Sequence, residues 1–217
     1  MVTLATEHGF QQRLRLTIGQ ICRGWALAEQ QQEEEGIEQI RRGLATYSAA
    51  ETSLMLPYFL GFLAEAALRG QQITEGLAAV NEALERTQRT GERFYEAELY
   101  RLKGELTLQS QTSPGQVSGK SKARQGKSKT PNAQSPASNA QSEAEECFLK
   151  AIEIARKQSA RLLELRATIS LSRLWRQQDK KKKEAHKMLA DIYGWFTEGF
   201  DTKDLQEAKA LIEELVH

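Results

Sequence analysis

The chain has 217 residues, a formal net charge of +1, 40% hydrophobic residues and only four prolines. That length suits one or two ordinary domains, and the near-neutral balance gives no overall pull toward nucleic acid or acidic lipid. The longest low-polarity run, residues 54 to 64, is 11 residues long and contains Pro57 and Gly61, whereas a membrane span needs roughly 20.

The abundance of Glu, Gln, Ala, Leu and Arg favours helix almost throughout. The spacing predicts a first helix near Phe10–Gln30, where Leu14, Ile18, Ile21, Trp25 and Ala28 step by four, three, four and three along one stripe. Its partner is expected near Glu35–Ala49. A second hairpin pairs Ser53–Arg69 with Thr74–Thr90; Pro57 lies in the first turn, and Gly70 and Gly91 follow the helices where a left-handed residue is wanted. A third helix pair begins with Arg93–Gln109, carrying Tyr95, Leu99, Leu102 and Leu106 on one face, and resumes at Ser142–Gln158 with Ser142 and Glu145 as a capping box. A fourth pairs Arg161–Gln177 with Lys182–Trp195. The last helix, Thr202–Val216, presents Leu205, Ala208, Ile212 and Leu215 inward and reads as a cap.

Three patterns bind these pieces into an array: Gly36-Ile40-Gly43, Gly76-Val80-Ala83 and Ala144-Phe148-Ala151, with a looser Ala185-Leu189-Ile192. Each sets a small residue, a larger apolar one four positions on and a third residue three further, all on one helical face. The first two start 40 residues apart (36 to 76) and the last two 41 apart (144 to 185). The middle gap of 68 (76 to 144) leaves 28 surplus residues over one 40-residue period. The stretch 110–141, rich in Ser, Gln, Lys, Gly and Pro, accounts for them as a disordered insertion. The expected organisation is therefore residues 1–109 as two hairpins and the first helix of a third, 110–141 as the insertion, and 142–217 as the remainder. The fold class is all-α: a right-handed superhelix of about four antiparallel hairpins with a period of about 40, closed by a capping helix.

Several segments resemble the C-terminal tetratricopeptide-type region of large bacterial signalling ATPases and class III adenylate or guanylate cyclase-like proteins. They include Ile21-Cys22-Arg23-Gly24-Trp25-Ala26, Pro57-Tyr58-Phe59-Leu60, the run from Gly91 to Leu106, and the run from Tyr193 to Asp201. The resemblance implies a sensing and protein-contact array whose chemistry resides in upstream ATPase or cyclase domains. It also implies partners among proteins or peptides, those upstream domains included.

No motif for catalysis stands out. Gly119-Lys120-Ser121 and Gly126-Lys127-Ser128 mimic the end of a phosphate loop, but the glycine that should stand five residues earlier is Pro114 or Ser121. The basic residues Lys120, Lys122, Arg124, Lys127 and Lys129 lack interleaved aromatics and read as a solvated spacer, not a specific nucleic-acid site. His8, His186 and His217 are too scattered to hold a metal. The chain is expected to be no enzyme, to need no cofactor, and to be cytoplasmic; Cys22 and Cys147 read as reduced thiols. The N-terminus shows no basic flank and apolar run of a secretion signal.

The binding face is sought on the first helix of each hairpin, which lines the concave side of tetratricopeptide-like superhelices. Tyr58, Glu65 and Arg69 share one side of their helix, as do Glu96, Tyr100 and Lys103. The tryptophans and the Phe94, Tyr95, Tyr100 group are read mainly as seam fillers. At the N-terminal end, Leu14, Leu16, Ile18, Ile21, Cys22 and Trp25 spread over more than one face, so an uncapped apolar surface is expected there. That surface supports an alternative reading as a structural array that self-assembles by stacking.

Overall fold

In the computed structural model the described residues are 2–49, 54–112, 136–179 and 181–216. Their regular structure is all helical, nine helices and no strand among the described residues. The chain divides into two compact units, Met1–Leu102 and Lys103–His217. The first holds α1 (Val2–Glu29), α2 (Glu33–Ala49), α3 (Leu56–Arg69), α4 (Ile73–Thr90) and the start of α5 (Glu96–Thr112). The second holds the rest of α5, α6 (Pro136–Lys157), α7 (Arg161–Gln177), α8 (Lys182–Tyr193) and α9 (Lys203–Val216).

Within the first unit α1 pairs with α2 and α3 with α4, while α3 also packs on both α1 and α2. Every member of the four small–large–small patterns is buried in its own unit. Ile40, Val80, Ala83, Ala144, Phe148, Ala151, Ala185 and Leu189 are all fully sequestered from solvent. Each such isoleucine or leucine contributes roughly 1.5–3 kcal/mol through burial. The small residues do what the spacing asks. A Cβ on Gly36 would stand 2.5 Å from the Gly24 carbonyl oxygen, and one on Gly24 would stand 2.6 Å from that of Gly36. The backbones of α1 and α2 thus touch where both side chains are missing.

The turns joining paired helices share one geometry. Gln31, Gln71 and Ser159 all adopt the left-handed conformation, with φ of 65°, 55° and 55°. In each turn the next residue's N–H reaches back five positions: Gln32 to the Leu27 carbonyl at 3.0 Å, Gln72 to Ala67 at 2.8 Å, and Ala160 to Ala155 at 2.9 Å. This Schellman closure satisfies carbonyls the helix end leaves free. Gly91 ends α4 with φ 79°, as expected. Gly70 does not serve that purpose: its φ is −75°, and Gln71 supplies the left-handed turn. Glycine stands at 70 for space, since a Cβ there would come 3.0 Å from Ile37 Cδ1 and 3.2 Å from Glu33 Cβ of α2.

In the second unit α7 packs on α6, α8 and α9, and α8 on α9. Helix α6 starts at Pro136 rather than Ser142, so the Ser142–Glu145 pair lies inside the helix and caps nothing. The extra turn forms because Ala140 continues the buried stripe of Ala144 and Phe148 four residues back, and it is only 5% exposed. Helix α5 likewise runs on to Thr112, so the helical ends take both flanks of the expected 110–141 insertion; residues 113–135 lie outside the described residues. Helix α8 ends at Tyr193, leaving Trp195 in the turn before α9. The inward stripe of α9 runs through Leu205, Ala208, Leu211 and Leu215, with Ile212 half-buried beside it.

Candidate functional site

The odd helices of the first unit form one layer, because α1 packs on α3 and Gly61 of α3 admits Tyr95 and Leu99 at the start of α5. A Cβ on Gly61 would meet the Tyr95 ring at 2.7 Å. Aromatic rings cross this layer without a break. Trp25 of α1 stacks on Phe62 of α3, ring centres 5.1 Å apart and 21° from parallel. Tyr58 tilts against Phe62 at 4.5 Å, meets Tyr95 edge-on at 4.7 Å and lies 5.6 Å from Phe94. Phe94 remains half exposed, at 51%.

A polar chain runs beside the rings. Trp25 Nε1–H donates to Glu65 Oε2 at 2.9 Å. The other Glu65 oxygen lies 3.3 Å from an Arg69 guanidinium nitrogen, which also pairs with Glu29. Glu65 is 4% exposed, so its charge is neutralised in place, as a buried carboxylate requires. Arg69 keeps its Nε–H without an acceptor among the described residues. Burial raises the Tyr58 hydroxyl above its ordinary pKa, helped by the charges of Cys22 and Glu65. Tyr58, Glu65 and Arg69 are thus brought together with Trp25, Phe62 and Glu29, which sequence reasoning left out of the site. The missed signal was the period itself: Trp25–Glu65 and Glu29–Arg69 are both 40 apart.

On α5, Glu96 is 7% exposed and lies 3.7 Å from Arg93; Tyr100 is half-buried. The strongest pair there is one the sequence reading passed over, Glu98 with Arg101. Arg101 Nε donates to both Glu98 oxygens at 3.0 Å and its Nη2 donates to Glu98 Oε1 at 2.7 Å. Lys103 belongs to the second unit, where its charge opposes the burial that pushes the Cys147 thiol up to about 11. Trp175 is buried on α7 under the Lys181 ammonium, 4.6 Å from its ring, while Trp195 is 57% exposed beneath Arg161. Among the described residues no three His, Cys, Asp or Glu converge as a metal site would require, and no helix is long and apolar enough to cross a membrane.

No family model matches the chain, and no curated protein matches it either. Solved structures do. A crystal structure of a variant kinesin light chain candidate from Podosopora anserina, with nearly identical TPR-like repeats, superposes with a TM-score of 0.57 over 94% of both chains at 16% identity. At that identity the likeness establishes the fold, a TPR-like array of helical repeats, and nothing finer.

Proposed function

We propose that the chain is a non-catalytic protein-interaction and regulatory module whose first unit binds a peptide segment along the layer formed by α1, α3 and α5. The observation that carries this reading is the continuous run of ring contacts in which buried Phe62 supports the part-exposed Trp25, Tyr58 and Tyr95 and the half-exposed Phe94, beside the Glu65–Arg69–Glu29 chain. Aromatic anchors flanked by fixed charges are what concentrate binding energy at protein interfaces. Tyr58, Arg69 and Tyr100 are the contact residues of the first unit; buried Glu65 holds Arg69 in position and buried Glu96 pairs with Arg93, while Lys103 is a separate candidate contact on the second unit. The Arg69 guanidinium, partly exposed and already held by Glu65 and Glu29, is the fixed charge offered to a partner carboxylate. The segments quoted above support placement in the cytoplasm within a multidomain signalling protein, with an ATPase or cyclase domain as effector.

Selection of binders from a random peptide display library on the purified chain tests the reading. Tyr58→Ala and Arg69→Ala should each weaken the selected peptides roughly tenfold, the loss expected of interface anchors, with helical circular dichroism unchanged. Peptides that bind both variants as tightly as the parent would remove the site. Magnesium-dependent turnover of ATP or GTP that a substitution in this chain abolishes would remove the non-catalytic assignment.

A further inference from the structure

The outward face of α1 and α2 bears a shallow open groove of about 530 Å³, lined by Arg15, Leu16, Gly19, Gln20, Arg23, Gln39 and Arg42. It carries three arginines and no acidic residue. Among the described residues Arg15 and Arg23 make no ion pair, whereas Arg42 is held by Glu38 at 2.9 Å. Leu16 is 69% exposed, and a Cβ added to Gly19 would meet nothing within 4 Å.

The 40-residue register, fixed by the matching turns at Gln31 and Gln71, shows what this surface corresponds to. Advancing 40 positions from Leu16, Gly19, Gln20, Arg23 and Gln39 gives Leu56, Phe59, Leu60, Leu63 and Ala79, all buried. That second surface lies on the hairpin over which α2 packs: the Tyr47 ring of α2 meets Phe59 edge-on at 5.1 Å, and Ile37 of α2 closes on Gly70. The groove on α1 and α2 is therefore the stacking position of a preceding helix. Its chemistry has changed, though. Arginine stands where Leu63 and Met55 stand one period later, and arginine at 42 replaces Glu82. The face expected to be broadly apolar is thus a narrow Leu16–Gly19 seam between basic rims.

We infer that this groove docks an acidic amphipathic helix of a partner protein, its apolar residues against Leu16 and Gly19 and its carboxylates against Arg15, Arg23 and Arg42. Charge complementarity decides the occupant. Two copies meeting through this face would bring six arginines together, three from each, which opposes self-pairing.

Two fluorescein-labelled 17-residue helical peptides serve as probes, one with a leucine stripe flanked by glutamates and a twin with lysines in their place. In anisotropy titrations the intact chain should bind the glutamate peptide and discriminate against the lysine twin, and added salt should weaken the complex. Arg15→Glu with Arg23→Glu should cost roughly tenfold or more and turn the preference toward the lysine peptide, while Tyr58→Ala changes neither. Arg15→Gln with Arg23→Gln, which keeps the stems but not the charge, should lose discrimination without gaining the lysine peptide. Failure to bind the glutamate peptide, or equal binding of both twins by the intact chain, would overturn the inference. So would light scattering showing copies that associate through this face and separate in the Arg15→Glu, Arg23→Glu chain.

Discussion

Helix α1 contains two interior glycines for which the packing demands opposite outcomes on the same substitution. Gly19→Ala adds a methyl group where no heavy atom lies within 4 Å. Only the helical preference of alanine over glycine then acts, a gain of about 1 kcal/mol. Gly24→Ala makes the same gain but places its methyl 2.6 Å from the Gly36 carbonyl oxygen, 2.8 Å from Ile40 Cγ1 and 3.0 Å from the Ile40 nitrogen. Two of those three neighbours are backbone, so no rotamer change relieves the contact. The helices must part by roughly half an ångström, forfeiting dispersion contacts along the seam. Overpacking of this kind costs about 1–3 kcal/mol. Propensity cancels between the two variants, so Gly19→Ala should be the more stable by about 1–3 kcal/mol. Urea unfolding followed by circular dichroism, fitted with a common slope, reads that difference directly. Equal midpoints would mean that the α1–α2 backbones do not touch, and the reasoning from the glycine pair would fail.

Gly104→Ala should destabilise the second unit by about 1–3 kcal/mol, because its Cβ would stand 2.5 Å from the fully buried Phe148 ring; Phe148→Leu in the same chain should recover part of the loss, and thermal melts of the single and double variants check it. Arg101→Met should cost about 3–5 kcal/mol, since it strips the main partner from a Glu98 side chain with no solvent exposure; a denaturation midpoint matching the parent would show that the pair is dispensable. Cys147, with its thiol pushed up to about 11 chiefly by burial, stays protonated at pH 8 and should alkylate far more slowly than exposed Cys22. Mass spectrometry of an iodoacetamide time course distinguishes the two, and equal rates would contradict the burial.

The repeat architecture was legible because each helix buries one stripe, and a stripe at helical spacing survives in sequence. Gly36, Ile40 and Gly43, and their counterparts 40 residues on, required no tertiary information to be placed inward. Boundaries were less legible because they depend on what lies opposite. Ala140 extends α6 only because it continues a face that is already covered, and Gly70 is needed by Ile37, a residue 33 positions earlier (70 − 37). At the site, Tyr58 and Arg69 were marked from helical periodicity, but periodicity within one helix names no cross-helix partner. Trp25 and Glu29 emerged only when equivalent positions of adjacent repeats were seen to meet. The basic groove was obscured for a related reason: Leu16 and Ile18 announce an apolar face, and only the fold sets Arg42 of α2 beside Arg15 and Arg23.

The shared turn has a bearing on how such a chain can be taken apart. The joint between α6 and α7 links what the sequence divides into separate hairpins, yet its left-handed Ser159 and its Ala160-to-Ala155 closure copy those of α1–α2 and α3–α4. At this joint, unlike the Gly91 end of α4, local chemistry does not mark where one hairpin stops and the next begins. An α6–α7 pair excised from the chain would carry the same self-sufficient corner as α1–α2 or α3–α4, whereas α4–α5, closed by Gly91 onto the Thr87 carbonyl, would not. Shortening or permuting the second unit around α7 is in that sense a choice of which faces to uncover, and the Ser159 turn imposes no frame on it.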